Sequence, residues 1–204
     1  DRKLPMRRLA HAACSLLMLT LAACGGGGGG GSASGSSMSA AAQVGEKLFS
    51  DTILSSTGAM SCASCHDKGN HHAAPDSRSV PAGAEEGHEA GRQAPTLQYL
   101  KFNTRFAFAA DGTPTGGFTW DGRAATLAEQ AGGPLLNPNE MANADVGDVV
   151  AKLKRSTNAA NFMRVFGSDI FERPADAFAH LLFALQQYQL EDTGFAPFSS
   201  KFDL

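Results

Sequence analysis

The stretch Cys62-Ala63-Ser64-Cys65-His66 constrains this chain more than any other. Two thiols three positions apart can reach both vinyl groups of one porphyrin, and the histidine that follows them presents an imidazole to the iron from the same side. The pattern therefore predicts one covalently attached haem c, with Cys62 and Cys65 as its attachment points and His66 as an axial ligand of the iron.

The sequence lacks the features that two other uses of a C-x-x-C pair require. A structural zinc site needs a second pair of ligands, which the sequence does not supply. A thioredoxin-like redox pair needs a βαβ context.

Length and charge narrow the class of protein. The chain has 204 residues, enough for one domain with appendages and too few for a large multidomain enzyme. Its 17 Lys and Arg residues nearly balance 20 Asp and Glu residues, and the mean hydropathy is −0.16. These values exclude a polycationic nucleic-acid binder and a multispanning membrane protein, so we expect no nucleic-acid partner.

Residues 1–23 resemble a bacterial lipoprotein signal peptide. Two arginines precede the short apolar stretch Leu16–Leu21, and small residues then lead to Cys24. The stretch is shorter than the ~20 apolar residues that cross a bilayer. The resemblance implies lipidation of Cys24, while the alternative is an ordinary signal peptide with an incidental cysteine. Residues 24–38 are predicted to be a flexible Gly/Ser-rich tether, which implies a periplasmic protein anchored by lipid to the outer membrane.

The remaining residues, 39–204, are predicted to form one mainly α-helical domain. Thr126 and Glu129 have the spacing of a capping box, so a helix is predicted to begin there. Apolar residues at helical spacing predict further helices in Val44–Phe49, in Val146–Leu153, in Asn158–Phe166 with a stop at Gly167, and after Pro174 with the apolar face Phe178, Leu181, Leu182, Leu185 and Tyr188. A short ribbon is predicted from Phe106–Phe108 and Phe118–Trp120, which flank a turn at Asp111–Pro114.

Seven sequence blocks, in order along the chain, resemble the bacterial di-haem cytochrome c peroxidase family, which includes the methylamine-utilisation oxidases. The blocks are Gly45–Asp51, Ser61–His66, Arg92–Leu97, Trp120–Ala124, Leu127–Ala131, Gly133–Pro134 and Asn137–Met141. The resemblance implies a cytochrome c-like haem domain with long loops. It also implies a peroxidase that reduces hydrogen peroxide to water with electrons from a small c-type cytochrome or a similar donor.

The resemblance assigns roles to individual residues. Glu140 matches the distal carboxylate that carries the peroxide proton, and Gln130 matches the amide beside it; on the residues alone both are expected to be solvated polar side chains. Trp120 matches the aromatic residue between the two haems, with a buried core indole as its alternative. Arg123 is expected either to neutralise a haem propionate or to pair with Asp121. His88 lies where the family often carries a removable distal ligand, at a shorter spacing than usual.

Other histidines and methionines are expected to have structural roles. His71 and His72 are predicted to be exposed, and His180 to lie on a helix face. Met60, Met141 and Met163 are predicted to pack in the core, although a thioether on the iron would make the domain a mono-haem electron-transfer lipoprotein without peroxidase activity.

Family members carry a second haem domain, often with a calcium ion near the interface, and this sequence has no second C-x-x-C-H motif. The domain is therefore expected to work with a second haem domain or with a separate haem protein. Phe195, Phe198 and Phe202 are predicted to form exposed apolar surface that faces this partner.

Overall fold

The computed structural model describes residues 38–202, and helix α1 (Ala40–Phe49) is the first element in it. Ser39 caps α1, since its Oγ accepts a hydrogen bond from the Ala42 amide at 3.2 Å. The same serine donates from its amide and its hydroxyl to the Glu191 carboxylate, at 2.6 and 2.8 Å. The start of α1 is thereby tied to the end of the last helix.

Six α-helices form most of the regular structure in residues 38–202, which confirms the mainly helical prediction. After α1 they are α2 (Cys62–Cys65), α3 (Leu127–Leu136), α4 (Val146–Arg155), α5 (Ala159–Phe166) and α6 (Pro174–Glu191). Short 3-10 turns occur at Thr52–Leu54, Lys68–Asn70, Leu100–Phe102, Ile170–Glu172 and Thr193–Phe195.

The helix ends follow the predicted signals. Thr126 Oγ1 accepts from the Glu129 amide at 3.0 Å, and the Glu129 carboxylate accepts from the Ala125 amide at 2.9 Å, so the predicted capping interactions are formed. Helix α5 ends at Gly167, whose φ of +111° favours glycine, and Pro174 occupies the first turn of α6.

Helices α1 and α6 cross in close contact at Gly45. A Cβ atom at this position would overlap the carbonyl oxygen of Ala184, so only glycine lets the two backbones approach this closely. The core around the crossing consists of fully buried apolar side chains, among them Leu48, Leu54, Leu135, Val149, Leu153, Phe162, Ile170, Leu181 and Leu185.

Residues 67–126 are mostly irregular and contain one small ribbon, β1 (Ala107–Phe108) paired antiparallel with β2 (Pro114–Thr115). The predicted pairing partner, Phe118–Trp120, was wrong. The chain turns back earlier, between Ala109 and Thr113, and Phe118 instead bridges to Ala124. The sequence signal missed this because Pro114 was assigned to the turn rather than to the strand.

Phe195 was predicted to be exposed and is buried, with 1% of its surface accessible, because it packs between Phe49 and Tyr188. Phe198 and Phe202 are exposed as predicted. Within residues 38–202, no helix is both long and apolar enough to cross a membrane. The predicted signal peptide, lipidated Cys24 and residues 24–37 of the predicted tether lie outside the described residues.

Candidate functional site

A cavity of about 680 Å³ contains the Cys62–His66 motif. Its volume lies within the ~300–1,000 Å³ common for cofactor sites. Much of its wall is apolar, with contributions from Phe49, Met60, Leu97, Leu100, Phe118, Met141 and Leu185.

Helix α2 brings both thiols to the cavity. Its start is fixed by the Ser61 amide, which donates to Ser64 Oγ at 3.0 Å. One helical turn separates Cys62 from Cys65, so their side chains lie on the same side of the helix. The His66 amide donates to the Cys62 carbonyl at 2.9 Å, and the imidazole therefore follows the thiols into the cavity.

Both thiols are free, and burial favours the protonated form of each. Burial raises the pKa of Cys62 to about 12, and burial followed by the charge of Glu140 raises the pKa of Cys65. Among residues 38–202 the structure brings no group of three or more His, Cys, Asp or Glu side chains together as a metal site, which disfavours the zinc alternative. A neutral thiol can still add across a vinyl group to give a thioether with no other product.

The imidazole of His66 is oriented by a backbone carbonyl. Its Nδ1 lies 3.1 Å from the carbonyl oxygen of His72, and because a carbonyl only accepts, Nδ1 carries the hydrogen in this contact. The lone pair of the ring is then on Nε2, the atom available to a metal. Burial lowers the pKa of His66, which favours the neutral form that a metal ligand requires.

His72 was predicted to be exposed and is buried, with 1% of its surface accessible. Its ring stacks on Phe195 with the centroids 3.9 Å apart and meets Phe49 edge-on. Neither ring nitrogen has a hydrogen-bond partner among residues 38–202, and burial lowers the pKa of the ring. The backbone of His72 is left-handed, with φ +54°, and this turns the side chain inward while exposing His71.

A turn at Asn137–Met141, here called the acid turn, carries Glu140 to the cavity. Asn137 Nδ2 donates to Glu140 Oε1 at 2.9 Å, which fixes one carboxylate oxygen and leaves Oε2 available. The side chain is half-buried, and this desolvation raises the pKa of Glu140 in spite of the opposing hydrogen bond from Asn137.

Gln130 lies on α3 and also lines the cavity. Pro134 interrupts the hydrogen-bonding pattern of α3, because proline has no N–H to donate to the Gln130 carbonyl four residues earlier. The carbonyl of Pro134 in turn accepts from the Met141 amide at 3.1 Å. The proline therefore links the helix that carries Gln130 to the acid turn.

Trp120 and Arg123 lie at the rim of the cavity. The indole is 62% exposed, so the buried-core alternative is wrong, and its Nε1 donates to the Gln93 carbonyl at 3.0 Å. Arg123 pairs with Asp121 at 2.7 Å, and Arg92 reaches the same carboxylate oxygen at 3.1 Å. Because the two guanidinium groups share one carboxylate oxygen, each keeps further N–H donors that suit an anionic group.

The remaining predicted residues are His88 and three methionines. His88 is exposed and lies outside the cavity lining, with Nδ1 3.0 Å from the Pro138 carbonyl oxygen. The three methionines pack against the core as predicted, and Met60 and Met141 also line the cavity.

Gln189 was not identified from the sequence. It lies on α6, lines the cavity and is 4% exposed, and its Oε1 has no hydrogen-bond partner among residues 38–202. Its Nε2 donates to the Leu185 carbonyl at 3.3 Å. Gln189 follows Leu181 and Leu185 at intervals of four, so a polar residue in this apolar stripe was the signal that could have indicated it.

These residues fit a covalently bound haem. Two thiols and a neutral imidazole share one cavity with apolar walls, and arginines at the rim suit the carboxylates of a porphyrin. Of the predicted site residues, the structure brings together Cys62, Cys65, His66, Trp120, Arg123, Gln130 and Glu140.

Residues 39–204 match the family model described as di-haem cytochrome c peroxidase. Methylamine utilization protein MauG of Paracoccus denitrificans is 40% identical over 172 residues, which cover 80% of this chain and 43% of that protein. Cytochrome c peroxidase Ccp of Escherichia coli is 35% identical over 124 residues, which cover 60% of this chain and 23% of that protein.

Solved structures of di-haem peroxidases and a related protein are also similar to this chain. The diheme peroxidase BthA from Burkholderia thailandensis superposes with a TM-score of 0.75 at 39% identity, over 79% of this chain and 40% of that one. A MauG-like protein associated with microbial copper homeostasis superposes with a TM-score of 0.62 at 28% identity, over 82% of this chain and 44% of that one. The chain thus spans less than half the length of these relatives.

Proposed function

Because this chain belongs to the di-haem cytochrome c peroxidase family, we propose that residues 39–204 form a haem c domain that reduces hydrogen peroxide to water. The overall reaction consumes one peroxide, two protons and two electrons and yields two waters. The observation that carries the proposal is that Glu140 and Gln130 line the same cavity as Cys62, Cys65 and His66.

The haem would be held by thioethers at Cys62 and Cys65 and by His66 Nε2, which would bind the iron. The bound haem supplies the redox-active iron at which the peroxide O–O bond is broken. The His72 carbonyl holds His66 in the tautomer this requires, and the remaining N–H donors of Arg92 and Arg123 would hold the haem carboxylates.

Glu140 acts as the proton carrier. Its Oε1 is held by Asn137, so Oε2 takes a proton from one peroxide oxygen and returns it to the other, which leaves as water. Because burial raises its pKa, the Glu140 carboxylate is a stronger base than an ordinary glutamate and accepts the peroxide proton more readily. Gln130 orients the peroxide through its amide.

Electrons enter from a c-type cytochrome or a similar donor, through a second haem domain or a separate haem protein. Trp120 is the group proposed to pass them, because its indole is exposed at the rim of the cavity. Exposed rings of Tyr99, Phe102 and Phe198, in contact at centroid distances of 5.3 and 5.6 Å, form an apolar surface suited to the partner domain.

We further propose that the protein is periplasmic and attached to the outer membrane through lipid on Cys24. The proposal is supported by the sequence of residues 1–23 and by a haem-attachment motif that is used in exported proteins. Metabolic labelling with a radioactive fatty acid tests it, because Cys24→Ala would abolish the label and release the protein from membranes.

The peroxidase proposal is tested by Glu140→Gln in the haem-loaded protein. We expect the spectral change on mixing with peroxide to slow by about 100-fold or more, since general acid–base groups contribute ~10²–10⁴. Glu172→Gln is the matched control. It makes the same change at an exposed side chain in the Ile170–Glu172 turn, which does not line the cavity. An unchanged rate in Glu140→Gln would contradict the assignment of Glu140.

A mono-haem electron carrier is the second candidate, because Met60 and Met141 both line the cavity. A thioether on the iron would close the site to peroxide. In that case the ferric spectrum would show histidine and methionine ligands and would not respond to peroxide. Met60→Leu or Met141→Leu would then create the peroxide reaction, whereas the peroxidase proposal expects neither variant to do so.

A further inference from the structure

The segment Pro81–Ala90, here called the 81–90 loop, forms a small hairpin beside the cavity. The Gly83 amide donates to the His88 carbonyl at 2.7 Å, and the Ala90 amide donates to the Pro81 carbonyl at 2.9 Å. Pro81, Ala82 and Ala90 line the cavity, so the base of the loop forms part of its wall.

The outer part of the loop contacts the acid turn through two hydrogen bonds. The Ala84 amide donates to the Glu140 carbonyl at 2.7 Å. The imidazole of His88 lies with Nδ1 3.0 Å from the Pro138 carbonyl, and because that oxygen only accepts, Nδ1 donates. The carbonyl groups of Pro138 and Glu140, one on either side of Asn139, are thus held by the loop.

The loop and the turn also touch backbone to backbone. A Cβ on Gly83 would lie 2.7 Å from the Asn139 carbonyl oxygen and 3.1 Å from the Cβ of His88. Such distances leave no space for a side chain. The position of His88 and the position of the acid turn are therefore coupled through Gly83.

Ser56 contacts both the acid turn and the 81–90 loop. The Ser56 amide donates to the Met141 carbonyl at 2.8 Å, and the Ser56 hydroxyl bonds to the carboxylate of Glu85 on the loop. The acid turn is held from two sides, and the imidazole of His88 is the side chain that reaches its backbone from the loop.

We propose that His88 is a positioning residue, which holds the acid turn so that the Glu140 carboxylate stays directed into the cavity. This inference rests on the proposed function, in which Glu140 carries the peroxide proton. It assigns His88 a hydrogen bond to Pro138 instead of a bond to the iron, in keeping with its exposed position outside the cavity lining.

The test uses His88→Ala and His88→Asn in the haem-loaded protein, with two readouts. We expect His88→Ala to slow the peroxide reaction about fivefold, the worth of one hydrogen bond, and to increase amide hydrogen exchange in a peptide spanning the acid turn. His88→Asn should restore both, because its side-chain amide can donate from nearly the position of Nδ1.

Glu89→Ala is the matched control. It alters the neighbouring exposed side chain, which makes no hydrogen bond or ion pair among residues 38–202, and both readouts should stay at the parent values. Gly83→Ala perturbs the same contact from the backbone. We expect it to slow the reaction about 10- to 100-fold, because misplacement of a reacting group by ~1 Å has effects of this size.

Unchanged exchange in the acid turn of His88→Ala, or no rescue by His88→Asn, would overturn the proposal. A changed resting spectrum with a faster peroxide reaction in His88→Ala would also overturn it and would make His88 an iron ligand. If exchange responds as expected while Glu140→Gln leaves the rate unchanged, the positioning of the turn stands and the catalytic role of Glu140 fails.

Discussion

The side-chain nitrogen of Lys152 lies 2.6 Å from Asn143 Oδ1, and both side chains are buried. Asn143 Nδ2 in turn donates to the carbonyls of Leu54 and Leu135, each at 2.7 Å. Lys152 also donates to Asp148 at 2.8 Å. This network joins α4 to the end of α3, and Asn143 follows the acid turn by two residues. The packing of the core is therefore linked to the position of the acid turn.

Lys152→Met is expected to lower the free energy of unfolding by about 1–3 kcal/mol, because Asn143 Oδ1 would be left buried without a donor. Urea unfolding of the haem-loaded protein measures the change. Lys154→Met is the matched control on the same helix, since Lys154 is exposed and its replacement should change the value by less than about 0.5 kcal/mol. Equal effects of the two variants would show that the network does not contribute to the free energy of unfolding.

The pH dependence of the peroxide reaction should report Glu140. Burial raises its pKa above 4.5, so the protonated acid persists to higher pH than usual, and the rate should fall as the pH drops through this raised value. Asn137→Ala removes the hydrogen bond that opposes the shift, so the midpoint should move to still higher pH. Stopped-flow rates between about pH 4 and 8 measure both midpoints. A midpoint that does not move in Asn137→Ala would contradict the role of this hydrogen bond.

Gly45→Ala should destabilise the domain by about 1–3 kcal/mol or more, because the new methyl group would force α1 away from the Ala184 carbonyl. Gly133→Ala provides the control within α3, where an added Cβ faces the cavity and meets no atom of residues 38–202 within 4 Å. That change should stabilise the helix by roughly 0.5–1 kcal/mol. Thermal unfolding of the two variants measures both changes. Loss of stability in both would show that the helices tolerate no alanine at glycine positions, rather than a specific contact at Gly45.

Gln189→Leu is expected to raise the free energy of unfolding by about 1 kcal/mol, because it removes a buried acceptor that has no donor among residues 38–202. Gln189→Glu should have the opposite effect, since it buries a charge. A loss of stability in Gln189→Leu would instead show that the haem-loaded cavity supplies a donor to Oε1.

The helices were predictable because their signals are local. The capping residues Thr126 and Glu129, the stop at Gly167 and Pro174 at the start of α6 need no information from distant parts of the chain. The Cys62–His66 motif was equally local. Its convergence with Glu140 and Gln130 was expected only from the family resemblance, because separation along the sequence gives no distance.

The remaining features depend on long-range packing. His72 is buried because a left-handed backbone turns it onto Phe195, and adjacent histidines in a polar stretch give no sign of this. Phe195 is buried because it packs against Phe49, His72 and Tyr188. The ribbon partner of Phe106–Phe108 was wrong because, in a loop of short and irregular segments, the exact turn is set by hydrogen bonds such as that from the Ala109 amide to the Thr113 carbonyl.

The contact between Ser39 and Glu191 joins residues 152 positions apart in the chain. Closing so long a segment carries a large entropic cost, and contacts of this kind are formed late and slowly during folding. The C-x-x-C-H motif lies inside the closed segment, and in the folded domain both of its thiols are only partly accessible. An enzyme that attaches haem would therefore reach these thiols more readily before α1 and α6 meet.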